Sequence, residues 1–267
     1  MSLSKQDRAM AVSSYTCQML GFQVWQDGAI FLNWHADMTL RCNGGCLDCM
    51  KLLGLLPMDD PESDLTERHV EMIGKLLRSH SIRIRRLRIS GGEPLLHPDF
   101  VYMLHLIREV WKPLVIRIFT NDTISFPSGI DPRHTMRPID MEQKRIRHIP
   151  FYISPADLGM EPKHGFLDAC KMSRECGRSV NVFGFTPCMQ YPHIGRMLGK
   201  DVHFSRPKLL GDLEICQHCI CSLPKHEQRT VRSKIVNGKI DYPTKTYREG
   251  IVREREQPTE MKSLLER

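Results

Sequence analysis

No apolar run in these 267 residues comes near the ~18 residues that a membrane span requires, so no spanning helix is expected. Residues 1–19 are polar and mixed, without the apolar centre of a secretory signal. Export is therefore not expected, and the expected compartment is the cytoplasm. There is no internal repeat, which sets repeat architectures aside, and no low-complexity linker. With 41% hydrophobic and 26% charged residues, the chain reads as an ordinary globular protein able to bury a core.

Two quantities stand out. The net charge is +7, from 38 Lys and Arg against 31 Asp and Glu. That suits an anionic partner, or simply solubility plus a basic tail, and the second reading is preferred. The chain also holds ten cysteines. Without export, a reducing compartment keeps thiols free, and thiols grouped at short spacing point to metal rather than disulfides.

The pattern along the chain alternates. A helix is expected over residues 4–19. A hairpin is expected around Asp27-Gly28, between residues 22–26 and 29–34. Residues 36–40 read as a strand running into the first cysteines. Thr66 is placed to cap a helix reaching about residue 80, with Val70, Ile73, Leu76 and Leu77 on one face. Residues 82–90 read as a strand, 100–111 as a helix behind Pro98, and 114–120 and 151–154 as further strands. Such alternation implies parallel strands with helical crossovers. A second hairpin is expected at Asn237-Gly238.

The strongest chemical signal is Cys42-Asn-Gly-Gly-Cys46-Leu-Asp-Cys49. A 4Fe–4S cluster usually takes four thiolates, so three leave one iron open to a substrate. Gly44 and Gly45 let backbone wrap closely around such a group. A zinc knuckle short of one ligand, or ordinary core thiols, stay as the plainer readings. A second motif, Ser90-Gly91-Gly92-Glu93-Pro94, ends the next strand. Its backbone amides suit a ligand's polar groups, and Glu93 can accept from an ammonium. Alone it would be a turn.

Together these motifs, over residues 36–154, resemble the radical SAM superfamily. The resemblance implies an α/β fold, a partial (β/α)6 TIM-like barrel. It implies S-adenosyl-L-methionine chelated to the open iron, with Gly91, Gly92 and Glu93 at the methionine amino group. Thr120 and Asn121 resemble the family's Thr-Asn-Gly, with Asp122 in place of the glycine. Ser154 falls where the family contacts the ribose or carboxylate. Asp48 stands where an aromatic residue usually precedes the third cysteine. The implied chemistry is an oxidoreductase-type radical reaction. One electron, from a donor such as flavodoxin or ferredoxin, cleaves the sulfonium to a 5′-deoxyadenosyl radical that takes hydrogen from a substrate.

Cys170, Cys176, Cys188, Cys216, Cys219 and Cys221 follow later, and Cys216-Gln-His-Cys219 has metal-ligand spacing. This group resembles the twitch or SPASM extensions that carry an auxiliary iron–sulfur cluster. The resemblance implies Cys176, Cys188, Cys216 and Cys219 as ligands. Cys221 or Cys170 could replace one of them, and His193 and His218 are further candidates. A structural zinc site is the competing view. Cys17 reads as a buried thiol.

Arg88 and Arg117 lie within apolar strand sequences and need an anionic partner. An ion pair with Asp37 is the plain reading, and a substrate anion site the sharper one. Arg83, Arg85 and Arg86 read as solvated. Asp157 is a candidate substrate contact or, more plainly, a cap. The expected organisation is 1–35 (helix and hairpin), 36–164 (radical SAM core), 165–224 (auxiliary cluster region) and 225–267 (charged tail). In that tail Arg253 and Arg255 alternate with Glu as a solvated helix face. The absence of a peptide-gripping winged helix favours a small polar metabolite over a peptide side chain. The alternative is a non-enzymatic, zinc- or cluster-stabilised module for nucleic acid, although a nucleic-acid partner is not the favoured reading.

Overall fold

The computed structural model describes residues 23–24, 30–46, 48–128, 130, 135–136, 151–161, 177–207 and 212–267. The expected first helix, Cys17, Cys170 and Cys176 lie outside them. Among the described residues, seven strands form one mostly parallel sheet, and helices join it into a mixed α/β fold. The strands are β1 (Gln23–Val24), β2 (Ile30–Thr39), β3 (Ile82–Gly91), β4 (Val115–Phe119), β5 (Thr135–Met136), β6 (Arg178–Asn181) and β7 (Gly184–Thr186). The order is β5-β4-β3-β2-β6-β7, with β1 antiparallel on the start of β2. Among the described residues the sheet is open, ending at β5 and β7.

The two central strands show why the sequence folds this way. In β2, Leu32, Trp34, Ala36 and Met38 face the core, while His35 and Asp37 point to the opposite side. β3 carries one residue too many for strict alternation, in Ile82, Ile84, Leu87 and Ile89. A bulge opposite Leu32 and Asn33 takes up Arg85, so all four apolar residues reach the core. Arg83 and Arg85 are exposed, in keeping with their expected solvation, whereas Arg86 is half-buried.

Two helices cover the apolar face. α1 (Glu67–Ser79) starts at Thr66, whose hydroxyl accepts from the His69 amide, and buries Val70, Ile73 and Leu77. α2 (Phe100–Trp111) buries Phe100, Met103, Leu104, Ile107 and Trp111. The Trp111 indole donates to the Val70 carbonyl at 2.7 Å, which locks the two helices together. No helix among the described residues is long and apolar enough to cross a membrane.

Three expectations change. Residues 151–154 are not a strand. The Tyr152 and Ser154 amides donate to the Tyr242 and Thr244 hydroxyls, so side chains take the places of ladder partners. Asn237-Gly238 makes no hairpin. It ends helix α5 (Lys225–Val236), after α3 (Tyr191–Met197) and α4 (Leu213–Gln217). Gly238 (φ 67°) adopts the left-handed turn, with its amide on the Ile235 carbonyl and that of Lys239 on Lys234. The same backbone freedom that suits a hairpin also suits a helix C-terminus, and the helix wins because α5 continues up to it. Finally, the charged segment 225–267 is not wholly solvated. α6 (Lys245–Glu256) buries Tyr247, Ile251 and Glu254, and Leu264 beyond it joins the main core.

The segment carrying the later cysteines is tied into the same sheet. β6 runs parallel to β2 on the side away from β3, and β7 folds back antiparallel. Trp34 meets Phe185 edge-on at 5.6 Å across this junction.

Candidate functional site

The first cysteine loop begins where β2 ends. Arg41 anchors it through an ion pair with Asp64 and a bond to the Leu96 carbonyl. Cys42, Cys46 and Cys49 are all half-buried, and none is in a disulfide. A Cβ built on the buried Gly44 would lie 3.7 Å from the Cys42 sulfur and 3.8 Å from the Cys46 sulfur. Both thiols thus flank one small backbone cradle. Burial, and after it the nearby Cys49 and Cys46, pushes the Cys42 thiol up. Positive charge brought to the loop would reverse that trend and favour thiolates.

The glycine motif packs directly on this loop. The Gly92 amide donates to Thr39 and the Glu93 amide to Arg41, at 2.9 and 2.8 Å. A Cβ on Gly91 would sit 1.8 Å from the Thr39 carbonyl oxygen, and one on Gly92 2.0 Å from that of Arg41. The glycines are therefore needed for contact between strand ends. The expectation that their amides stand ready for a ligand changes accordingly, since those of Gly92 and Glu93 are already spent.

Glu93 is fully buried and accepts three protein bonds. They come from the Leu95 amide, the Thr120 hydroxyl (2.8 Å) and the Asn121 amide (2.6 Å). A carboxylate has about four acceptor positions, so about one is left, on Oε2. Asn121 in turn donates from its side chain to Asn43, inside the cysteine loop, at 2.8 Å. Asn43 donates to Thr123 at 2.8 Å. The ends of β2, β3 and β4 are thereby strapped together around the three thiols. Asp122 has φ 61°, so it adopts the left-handed backbone that glycine favours. The departure from Thr-Asn-Gly leaves the turn intact.

Asp48 is held by the Tyr242 hydroxyl, which donates to it. Tyr242 stacks on Tyr152 with rings 6.1 Å apart, and the Tyr152 hydroxyl donates to the Cys49 carbonyl at 2.9 Å. Two aromatic rings from distant segments thus stand beside the third cysteine. Nothing local in the sequence announces them.

A buried polar group under the loop was also not foreseen. Lys51, two residues past Cys49, forms an ion pair with Asp37. It also donates to Ser90 (2.8 Å) and to the Gly91 carbonyl (3.0 Å). His35 lies 2.5 Å from the same Ser90 hydroxyl and 3.1 Å from Asp37. The Asp37 carboxyl is held well below its usual range by Lys51 and His35 in spite of burial. A lone lysine flanked by Met50, Leu52 and Leu53 was the signal that could have found it. The expected Asp37 partner for Arg88 or Arg117 is thus already taken by Lys51.

The other site residues fall elsewhere. Ser154 is fully buried and meets His218, between Cys216 and Cys219, at 2.8 Å. It therefore belongs beside the second cysteine group. Cys188, Cys219 and Cys221 pack on one apolar cluster with Tyr191, Ile194 and Ile215. The Cys219 thiol donates to the Gln190 side chain at 3.1 Å. Its hydrogen bond with Cys221, and then burial, pushes it well above the usual thiol range. Cys216 is half-buried on α4, and the Tyr191 phenol is raised by burial first and, after Asp212, by Cys216. Asp157 caps α6 by accepting from the Thr246 amide and hydroxyl, which is its plainer reading.

Among the described residues, no three His, Cys, Asp or Glu side chains stand together as ligands of a single metal ion. A single ion pulls thiolates to about 2.3 Å, whereas a cluster takes one thiolate per iron and needs a roomier loop. Three thiols outside any disulfide on one loop, two of them flanking a glycine cradle, fit the second demand by donor chemistry. Compared with family models and with curated proteins, the chain matches none.

Proposed function

We propose that this chain is a radical SAM enzyme whose core is a partial (β/α)6 barrel. The observation that carries the reading is the tie from Glu93 through Thr120 and Asn121 to Asn43, inside the loop of Cys42, Cys46 and Cys49, at the C-terminal ends of three adjacent parallel strands. Ligand sites of α/β folds sit at that edge. When bound, a 4Fe–4S cluster and S-adenosyl-L-methionine would supply an open iron and, on reduction, a 5′-deoxyadenosyl radical.

The chain's own residues do the positioning. Cys42, Cys46 and Cys49 would hold the cluster. Glu93 fixes the loop geometry and offers its last acceptor position to the cofactor's ammonium. Gly91 and Gly92 bring β3 close enough for that contact. Tyr152 and Tyr242 provide flat apolar surface where Asp48 does not. The later cysteines, Cys176, Cys188, Cys216, Cys219 and Cys221, are the candidate ligands of a second iron–sulfur cluster, with Ser154 and His218 joining the two regions. The substrate is a small polar molecule, and the electron donor a flavodoxin- or ferredoxin-type protein.

The test is anaerobic reconstitution. About four irons are expected at the first loop, and about seven to eight if the second cluster forms. Reduction with S-adenosyl-L-methionine present should release 5′-deoxyadenosine. Cys46→Ala should lower iron by about four per chain and abolish that product, while the metal at the later cysteines stays. A colourless zinc-loaded protein, or 5′-deoxyadenosine from the Cys46→Ala variant, would sink the reading.

A further inference from the structure

The sheet has two unlike faces. The one beneath α1 and α2 is apolar. Its opposite face carries a transverse row of polar side chains in direct register: Arg117 on β4, Arg88 on β3, His35 on β2 and Ser179 on β6. Residues paired in register point to the same side of a sheet, so two guanidinium groups stand next to each other. Like charges set directly opposite each other across a sheet are destabilising.

Several groups on this face have no hydrogen-bond partner among the described residues. Arg88 leaves Nε and Nη1 without an acceptor, although neither atom is exposed to solvent. His193, from α3, is 3% exposed with both ring nitrogens unpartnered. It lies near enough to Asp37 and Lys51 to feel their charges. Oδ2 of Asp37 and Nδ1 of His35 are likewise unmatched. Native interiors rarely leave such groups unpaired; Arg88 is half-buried, with Nε and Nη1 on its covered side. Asp37 does not relieve Arg88, because its charge is matched by Lys51.

We propose that this row is the substrate subsite, and that the substrate is a small molecule bearing an oxyanion, with a hydroxyl or amine at the far end. Arg88 would hold the oxyanion through its two unpaired N–H groups, with Arg117 beside it. His193 and Oδ2 of Asp37 would take the hydroxyl or amine. The inference rests on the radical SAM reading for what happens to the substrate, but not for its binding.

That independence shapes the test. Thermal unfolding is followed on oxidised, cluster-reconstituted protein without S-adenosyl-L-methionine. Malonate, inorganic phosphate or chloride is added at matched ionic strength. At about ten times its dissociation constant, a bound oxyanion should raise the midpoint by about 3 °C. Malonate alone giving the shift assigns a carboxylate, and phosphate alone a phosphate ester. Arg88→Met should melt at or above wild type without ligand, because it removes an uncompensated charge, and should lose the shift. Arg88→Lys keeps the charge without the fork and should lose most of it. The proposal is overturned if Arg88→Met melts several degrees lower or does not fold, since the arginine then has a structural partner. It is also overturned if chloride matches both oxyanions, or if Arg88→Lys keeps the full shift. Loss of 5′-deoxyadenosine formation with the oxyanion shift intact would instead count against the radical reading alone.

Discussion

At the scale of single residues, His69 shows how burial turns a side chain into a pH-dependent brace. It closes the first turn of α1, where its Nδ1 accepts from the Thr66 amide at 3.2 Å, and its Nε2 meets Ser263 at 3.1 Å. Only the neutral ring can accept at Nδ1. Burial, and then Arg68, pulls its pKa down from 6.5 to about 4. Between those values the unfolded chain binds the proton more readily than the folded one. Stability from this group is therefore complete above pH 6.5 and is lost as pH falls toward 4. The loss is about 1–2 kcal/mol once solvent screening is allowed for. Urea midpoints at pH 7 and pH 5 should fall further apart for wild type than for His69→Gln. His35, His193 and His203 are depressed by burial in the same direction, so acidification should weaken the variant too. Equal losses in both proteins would show that the His69 proton is not involved.

At the scale of elements, two glycines with positive φ do different work. Gly91 ends β3 with φ 142° against the Thr39 carbonyl, whereas Gly238 ends α5 with φ 67° and open space around its missing Cβ. Gly238→Ala meets only the strain of a left-handed residue, about 1 kcal/mol. Gly91→Ala meets backbone strain and overpacking together, about 3 kcal/mol or more, and forces β2 and β3 apart. Denaturant titrations should give a small midpoint change for the first and a large one for the second. If the two cost the same, the close approach of the strand ends is not what the glycine serves. The bulge at Arg85 belongs to this scale as well. It lets one strand turn an apolar row to the helices and an arginine row to the opposite face.

At the scale of the whole molecule, the C-terminal segment closes the fold rather than trailing from it. The Leu264 amide donates to the Val182 carbonyl at 2.8 Å, and its side chain is 2% exposed within the main core. Arg267 pairs with Asp201, and the buried Glu254 pairs with Arg196 at 2.9 Å. Residue 264 thus packs with strands formed some 80 to 230 positions earlier. Leu264→Ala should cost about 2–5 kcal/mol, as a fully buried leucine does. A midpoint unchanged from wild type would mean that the segment lies outside the cooperative core. Tyr242 makes the same long-range link to Asp48, so the last forty residues also bear on the cysteine loop.

Local pattern by itself determined the central strands, α1 and α2, because apolar periodicity and caps act over a few residues. It also determined which residues meet at the cysteine loop, since Cys42, Gly91, Glu93, Thr120 and Asn121 each sit at or just past a strand end that alternation makes parallel to the next. Only the tertiary structure decided that Glu93 spends most of its acceptors on Thr120, Asn121 and Leu95, and that Lys51 rather than an arginine neutralises Asp37. It likewise decided that β6 joins β2 and that Asn237-Gly238 stops a helix. Those outcomes depend on which of several partners of equal chemistry the fold brings within reach. Short-range propensity carries no information about residues a hundred positions away.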